Sequence, residues 1–542
     1  MNLKTCWLIT ALTVLISFAG SGLRANESSG NYFKLPKLSL KEDRGLIQRN
    51  VPDDISLKSE NGDPAKGKYT PLKIAKNSNL RRMNYDEYSD NSRTLNTGGE
   101  NYFSEKYLKK VVNEHKYWES EKHFGTAVVE MAIVEFIPWA LSKWVTKPGW
   151  ANVGWQSWWS NIQKGWEYDG DNFLTNNFAH PYHGNLYFNT GRTNGYNFWE
   201  SMPFAFAGSL LWEYFGEYYR PSFNDWINTS VSGINLGEMT YRVSNLITDN
   251  TTRGSDRVWT EIFGALVNPV RGFNRLISGE ASKVHPNTKL FDVPVRIFVD
   301  AGMRRIVERG SDFTSDSVST EGLLGFNLIY GNENYTDLSV PFSLFRVWGH
   351  VSNGTSKLTD LFSYGWLTGW KLGGKGKNKQ YFSLNLAYNF MTNPAYVFGG
   401  PCVLGLFTLS NRVGEKNYLK SDFGLYAILM GSTSTEYFYG LDGRNYDFGP
   451  GPGILLQSSL TNGIWNYLTV SYQGFTIFTM SGSPDSKHYL HNGSISSTLP
   501  LNNYFAIGAE FSFYWRNSFY AEPNPDVSRT SPMGRLFFVT KL

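Results

Sequence analysis

Residues 178–238 gather side chains able to move protons or hold an anion: His180 and His183 around Pro181-Tyr182, then Glu213, Glu217, Arg220, Ser222, Asp225, Asn228 and Glu238. Two imidazoles three residues apart, at a turn or in the first turn of a helix, are able to face one way, and two carboxylates four apart share a helix face. Such a set suits acid–base chemistry, or the N/O ligation of Zn or Mn. The spacing is not that of a zinc-protease helix and demands no metal, so the expectation is no metal and no cofactor. His180, His183, Glu213, Glu217, Asp225 and Asn228 are the candidate catalytic residues. The competing reading is a network that only ties helices together, because a buried polar group left unpaired costs about 1–3 kcal/mol.

The run NTGRTNG at 189–195 is turn chemistry, with Gly191 and Gly195 available for positive φ. Its amides and Arg192 are suited to an anion such as a lipid phosphate. Arg192, Arg220, Ser222 and Glu238 are therefore the candidate ligand-binding residues. Ser209 has no nucleophile-elbow context and is not nominated.

The elements that must position these groups read as helices. Residues 126–145 are apolar but carry Glu130, Glu135 and Pro138, which suits a buried or interfacial helix better than a membrane span. A tryptophan-rich stretch follows, with Trp150, Trp155, Trp158, Trp159 and Trp166, side chains at home at a membrane interface. A helix over 196–219 carries a small-residue notch at Ala205, Ala207, Gly208 and Ser209. Arg220-Pro221 ends it, and Ser222 is placed to cap the next, whose Asp225, Asn228 and Ser232 form a polar stripe, with Gly233 and Gly237 allowing close packing. Residues 261–277 predict one more helix, broken at Pro269.

From about residue 292 the apolar period becomes two. At 504–515, Phe505, Ile507, Ala509, Phe511, Phe513 and Trp515 fall on one face; at 381–390, Phe382, Leu384, Leu386, Tyr388 and Phe390 do the same. Ten less regular runs lie near 292–301, 323–331, 337–348, 359–371, 396–409, 419–430, 452–460, 464–475, 489–499 and 533–542, making about twelve strands. Apolar faces ending in aromatics opposite small and polar faces point to a membrane β-barrel over a soluble sandwich. The final run RLFFVTKL resembles the closing strand of outer-membrane barrels, although it ends on Leu where that pattern has an aromatic.

The rest of the chain agrees with an envelope address. Lys4, an apolar run at 6–19 and small residues up to Ala25 read as a signal peptide at 1–25, and no later stretch predicts a transmembrane helix. Removing the leader leaves Cys402 as the one cysteine, so no internal disulfide is expected. Charged residues are 18% and net charge is +4, which gives no reason to expect a nucleic-acid partner. Residues 26–100 are too polar to offset their ordering entropy and predict a flexible periplasmic segment, solvated or holding a periplasmic partner.

The runs HPYHGNLYFNTGR and WEYFGEYYRPSFNDWINTSVSGINLGE, ahead of a β-rich half, resemble the uncharacterised bacterial envelope family known as domain of unknown function 3943. That resemblance covers roughly residues 120–280 and implies an envelope protein without an established activity. Glu213, Arg220, Ser222, Asp225, Asn228, Gly233 and Gly237 also stand in an order similar to a hairpin of VanZ-like membrane proteins. The expected fold is α+β: a helical domain at 101–285 that plugs the lumen or caps the periplasmic mouth of an antiparallel outer-membrane barrel at 286–542. The expected function is handling or modification of envelope lipid or glycolipid, with outer-membrane lipid as partner. The alternatives are a transport channel with a helical plug, or a structural and docking protein.

Overall fold

The computed structural model describes residues 121–287 and 293–542, apart from 309–312, 314–316, 332–337, 355, 375–377, 415–416 and 441–442. The leader and the 26–100 segment lie outside the described residues, as does the run 104–118, where the spacing of Tyr107, Leu108, Val111 and Val112 predicts a helix.

Each predicted run at period two becomes a strand: β1 (Val295–Val307), β2 (Val318–Tyr330), β3 (Phe345–Ser352), β4 (Leu358–Gly373), β5 (Lys379–Thr392), β6 (Val397–Val413), β7 (Asn417–Ser434), β8 (Tyr446–Asn462), β9 (Trp465–Phe478), β10 (Lys487–Pro500), β11 (Phe505–Phe519) and β12 (Val527–Lys541). Neighbours in sequence pair antiparallel, and β1 closes on β12 from Phe298↔Lys541 to Ile306↔Met533. Closure removes the two free edges, which a bilayer does not tolerate. The third strand starts later than its expected run because Pro341 has no N–H for a ladder and Phe342 takes a φ of 55°.

Contacts between distant strands show which residues face inward. Arg535 on β12 donates to His350 on β3 at 2.7 Å, Phe298 on β1 lies 6.0 Å from Trp465 on β9, and Phe398 on β6 lies 4.3 Å from Phe475 on β9. Only side chains inside the cylinder reach across in this way. The alternate positions therefore face out, and on β7 and β12 these are bare apolar residues, Leu425 and Phe538, each about two-thirds exposed. That alternation is the signature of a membrane barrel with lipid outside.

Eight α-helices precede the barrel among the described residues: α1 (Phe124–Leu141), α2 (Trp155–Lys164), α3 (His180–Arg192), α4 (Phe198–Leu211), α5 (Phe223–Ile227), α6 (Gly233–Ile247), α7 (Gly254–Val267) and α8 (Pro269–Ile277). The break expected at Pro269 separates α7 from α8, where Asn268 accepts from Arg271 N and Pro occupies the first helical turn. Helix α4 starts with a capping box, Asn197 Oδ1 accepting from Glu200 N and Glu200 Oε2 from Asn197 N. Pro138 interrupts the ladder of α1 without ending it. It leaves the Val134 carbonyl without a helical donor, and His183 Nε2 stands 3.4 Å from that oxygen.

The helical domain neither fills the lumen nor covers a mouth; it lies against the outer wall of the barrel, and this corrects the expected plug or cap. Ile297, Leu328, Tyr330, Phe345 and Leu386 all face out by register and are buried under Phe198, Met239, Val243, Phe263 and Val267 of the helices. Further round, Phe173 packs on Phe390 at 5.4 Å and on Tyr446 at 5.6 Å, and Tyr168 on Phe448 at 6.2 Å. The covered strip runs diagonally from the start of β1 to the start of β8. The lumen has no room for helices, since Trp348, Phe362, Tyr396, Phe398, Phe475 and Tyr514 already occupy its interior.

Candidate functional site

Three π-turns, at Thr175–Ala179, Trp212–Gly216 and Asn228–Ser232, converge near the loop 165–172. A π-turn inserts one residue into a helix and rotates the following side chains onto a new face, which is why such turns recur at functional sites. Here they turn amides, carboxylates and an imidazole towards one another. His180 Nε2 lies 3.8 Å from Asp171 Oδ2 and 3.8 Å from Asp225 Oδ1, beyond hydrogen-bond reach of either. Glu213 and Glu217 lie within its electrostatic reach.

The carboxylates are held from behind. Asn224 donates to Asp225 Oδ1 at 2.8 Å and to Asp169 Oδ1 at 2.8 Å, while Asn176 donates to Asp169 at 3.0 Å. Glu213 Oε2 accepts from Ser222 N at 2.8 Å, and Glu217 Oε1 accepts from the Trp212 indole at 2.7 Å. The Ser222 side chain makes no cap bond to the helix amides, unlike the expectation, and is directed instead at the Asp225 carboxylate. Asn228 donates to Asn176 O at 2.5 Å and accepts from Ser232 at 3.1 Å.

The barrel wall completes the cluster. Tyr446 donates its hydroxyl to Asp171 O at 2.7 Å and accepts from Asn176 at 2.6 Å; Arg444 donates to Asp169 O at 3.0 Å. Asn177 donates to Ser432 at 3.1 Å, and Tyr388 donates to the Asn177 carbonyl. Sequence reasoning missed Asp169, Asp171, Asn176, Asn177 and Asn224. The Asp-Gly-Asp turn and the paired asparagines within an otherwise apolar run were the available signals. Nothing marked Tyr446, since an outward aromatic on a barrel strand reads as a lipid contact.

Four nominated residues stand elsewhere. His183, on the α1 side of α3, lies between the rings of Tyr187 at 4.5 Å and Trp212 at 4.9 Å, and it packs helices together. Arg192 is at the far end of α3, where its guanidinium donates to Glu238 at 2.7 and 3.2 Å and covers the Tyr241 ring; Arg242 donates to the same carboxylate at 2.8 Å. With Glu238 fully buried between two guanidiniums, Arg192 is not free to take a phosphate. Arg220 donates to the carbonyls of Lys164, Gly165 and Trp166 and pairs with Glu167 at 3.2 Å, which fixes the end of α2. In the VanZ-like order, Glu213, Ser222, Asp225 and Asn228 meet at the cluster, whereas Arg220 turns away from it.

Gly184 and Gly233 let α3 and α6 cross in backbone contact: a Cβ at Gly184 would stand 1.8 Å from the Thr229 carbonyl oxygen. Between these helices and the wall lies a crevice of about 140 Å³. Phe178, Pro181, Leu236, Met239, Leu328 and Val347 make its apolar lining, and Asn177, Asn235, Ser363 and Tyr388 bring polar atoms to it. Asn235 donates to Ser363 at 2.8 Å, while its carbonyl oxygen is buried without a partner.

Residues 165–270 match the family described as Domain of unknown function (DUF3943). The helical domain carries a DUF3943 domain. It runs from the end of α2 to the start of α8 and contains the helical part of the His180 cluster, the Arg192–Glu238–Arg242 group and the Gly184–Gly233 crossing. The chain is a closed twelve-stranded β-barrel with this domain packed on its wall. Comparison with curated proteins returns no match. Among solved structures the chain is similar to the NanC porin, with 10% identity over 45% of this chain and 100% of that one at a TM-score of 0.26. It is also similar to the outer-membrane channel DcaP of Acinetobacter baumannii, with 9% identity over 46% of this chain and 97% of that one at 0.22. A third is the Pseudomonas putida toluene transporter TodX, with 8% identity over 46% and 88% at 0.18.

Proposed function

We propose that this protein handles an apolar or amphipathic envelope molecule, outer-membrane lipid first among them, at the seam between its DUF3943 domain and the barrel wall. The observation that carries this reading is the crevice. Its volume of about 140 Å³ is close to the engineered 150 Å³ cavity that accepts benzene, so it suits a ring or a short stretch of alkyl chain. Asn177 lines it and adjoins the His180 cluster, which supports a ligand with its tail in the crevice and its polar part near the carboxylates. A lipid-modifying form of the reading would have Asp225 or Glu213 as general base and His180 as proton partner. Delivery to the outer membrane would rest on the leader at 1–25.

The test is an envelope lipid profile by mass spectrometry in strains carrying wild type, a deletion, Glu213→Gln with Asp225→Asn, or Val347→Trp, which fills the crevice without touching the cluster. A change shared by the deletion and Val347→Trp supports handling at the seam; a change in the double carboxylate variant as well supports chemistry there. An unchanged profile in the deletion strain refutes the lipid reading.

A second reading, solute passage through the lumen, is favoured by the charged lining. Arg535, Asp300, His350, Asp360 and Glu510 face the interior and are linked there, Arg535 donating to Glu510 at 3.0 Å and His350 meeting Asp360 at 2.8 Å. Discrete conductance of the purified protein in planar bilayers would favour it over the seam.

A further inference from the structure

We propose that the helical domain is itself embedded in the bilayer, as a bundle standing beside the barrel with α1 facing lipid. The occupant of its outer surface is therefore acyl chain, not water or a second copy of this chain. Three observations, independent of the proposed function, lead there.

The first is continuity. The strip of wall under the helices belongs to the same outward face that bears Leu425, Leu536 and Phe538, so the domain sits at the depth of the barrel's apolar band. Its own outer surface continues that band. Val129, Phe136, Ile137 and Leu141 on α1 are each more than half exposed, and Val258 and Leu266 on α7 are exposed too. Contiguous apolar surface of this extent marks a membrane or protein contact.

The second is the length and charge placement of α1. With the turn that follows it, Phe124–Thr146 is 23 residues long and apolar enough to cross a membrane, which corrects the expectation that no stretch after the leader is; at 1.5 Å per residue that is about 34 Å, against a hydrocarbon core of about 30 Å. Its carboxylates turn away from the apolar side. Glu130 is buried and accepts from Asn194 at 2.7 Å and Asn274 at 3.1 Å, and Glu135 is turned to the side of Tyr187 without a hydrogen bond to its hydroxyl. Ionisable groups inside a membrane face the bundle interior, as both carboxylates do here.

The third is where the segment begins and ends. At its start, His123 N donates to Asn194 O, and Asn274 of α8, the helix that leads to β1, reaches Glu130. At its end, Trp139 donates to Ala151 O and Tyr218 N to Trp150 O, beside Glu217 and the cluster that joins the β7–β8 connection through Arg444. The segment thus runs from one end of the barrel to the other. At the far end Trp144, Trp155 and Trp159 are exposed, as amphipathic rings at an interface are.

The test uses the full chain with Cys6→Ala and Cys402→Ala, reconstituted in phosphatidylethanolamine–phosphatidylglycerol vesicles. Single nitroxides are placed through Val128→Cys, Ile137→Cys and Ile262→Cys on the helices, Phe538→Cys on the wall and Tyr439→Cys in an exposed connection. Collision with dissolved oxygen is compared with collision with a water-soluble nickel chelate. The expected result is that the three helix positions shift towards oxygen as Phe538 does and opposite to Tyr439. Nickel-dominated collision at Val128 and Ile137, with Phe538 still oxygen-dominated, overturns the proposal. So does strong dipolar coupling between labels at Val128 of separate chains, which would put a second copy on that face. Positions on two helices keep the outcome decisive if one labelled variant fails to insert.

Discussion

Gly184→Ala puts the helix crossing to a quantitative test. The added Cβ would lie 1.8 Å from Thr229 O and 3.0 Å from Gly233 Cα, and both are backbone atoms that no rotamer change can move. Ordinary contact begins near 3.4 Å, so α3 and α6 must part by about 1.5 Å, an overpacking that costs about 1–3 kcal/mol. Parting also stretches the bonds that cross the same interface, Asn189 to Gly237 O at 3.2 Å and Thr240 to Asn185 at 2.6 Å, each worth about 1 kcal/mol. The expected loss is about 3 kcal/mol in the stability of the helical domain, more than a hundredfold in its unfolding equilibrium. Gly233→Ala meets the Gly184 carbonyl carbon at 2.4 Å and should behave alike; the double variant should cost less than the sum, because the second methyl enters space the first has opened. Gly125→Ala is the control, since nothing lies within 4 Å of its Cβ and Ala gains up to about 1 kcal/mol over Gly in a helix. The assay is helical ellipticity at 222 nm on heating in vesicles, with heat-modifiable gel mobility reporting the barrel separately. Gly184→Ala melting with wild type, or Gly125→Ala proving as harmful, would refute the crossing as described.

Glu238→Ala should destabilise the helical domain by about 3–5 kcal/mol, because it leaves Arg192 and Arg242 buried without their shared carboxylate; Arg192→Ala should cost less, since Arg242 still pairs, and equal effects in thermal melts would argue against the shared-anion picture. Tyr446→Phe removes one donor and one acceptor at the seam and should cost about 1–3 kcal/mol, read as faster proteolysis of the helical domain with the barrel's gel mobility unchanged. Trp465→Ala removes the ring that meets Phe298 across the lumen and should raise single-channel conductance in planar bilayers; unchanged conductance would mean the constriction lies elsewhere.

The alternation of Phe505 to Trp515 and of Phe382 to Phe390 was legible because a strand with a wet face and a dry face repeats every two residues whatever surrounds it. Legible also was the helix boundary at Pro269, set by local backbone chemistry, whereas the helix of His180, read as a turn or a first helical turn, runs on from the π-turn before it. His180 and Asp225 were brought together as read, with Glu213 and Glu217 near. His183 was not, because its ring answers the carbonyl that Pro138 leaves free on another helix. Arg192 and Glu238 were both singled out, but their pairing depends on α3 and α6 crossing at Gly184 and Gly233, which no spacing along the chain states.

By itself, then, the sequence determined that a membrane-type β-barrel of about twelve strands follows a helical region rich in polar groups, since period and composition are properties of each segment alone. Only the tertiary structure decided that the helices lie on the outside of the wall. Ile297, Leu328, Phe345 and Phe390 are the same kinds of residue as Leu425, Leu536 and Phe538, and both groups face outward. An apolar outward side chain is satisfied equally by a lipid tail or by a packed helix, so residue type does not distinguish the two, and the choice rests on which surface the folded helices present to the wall.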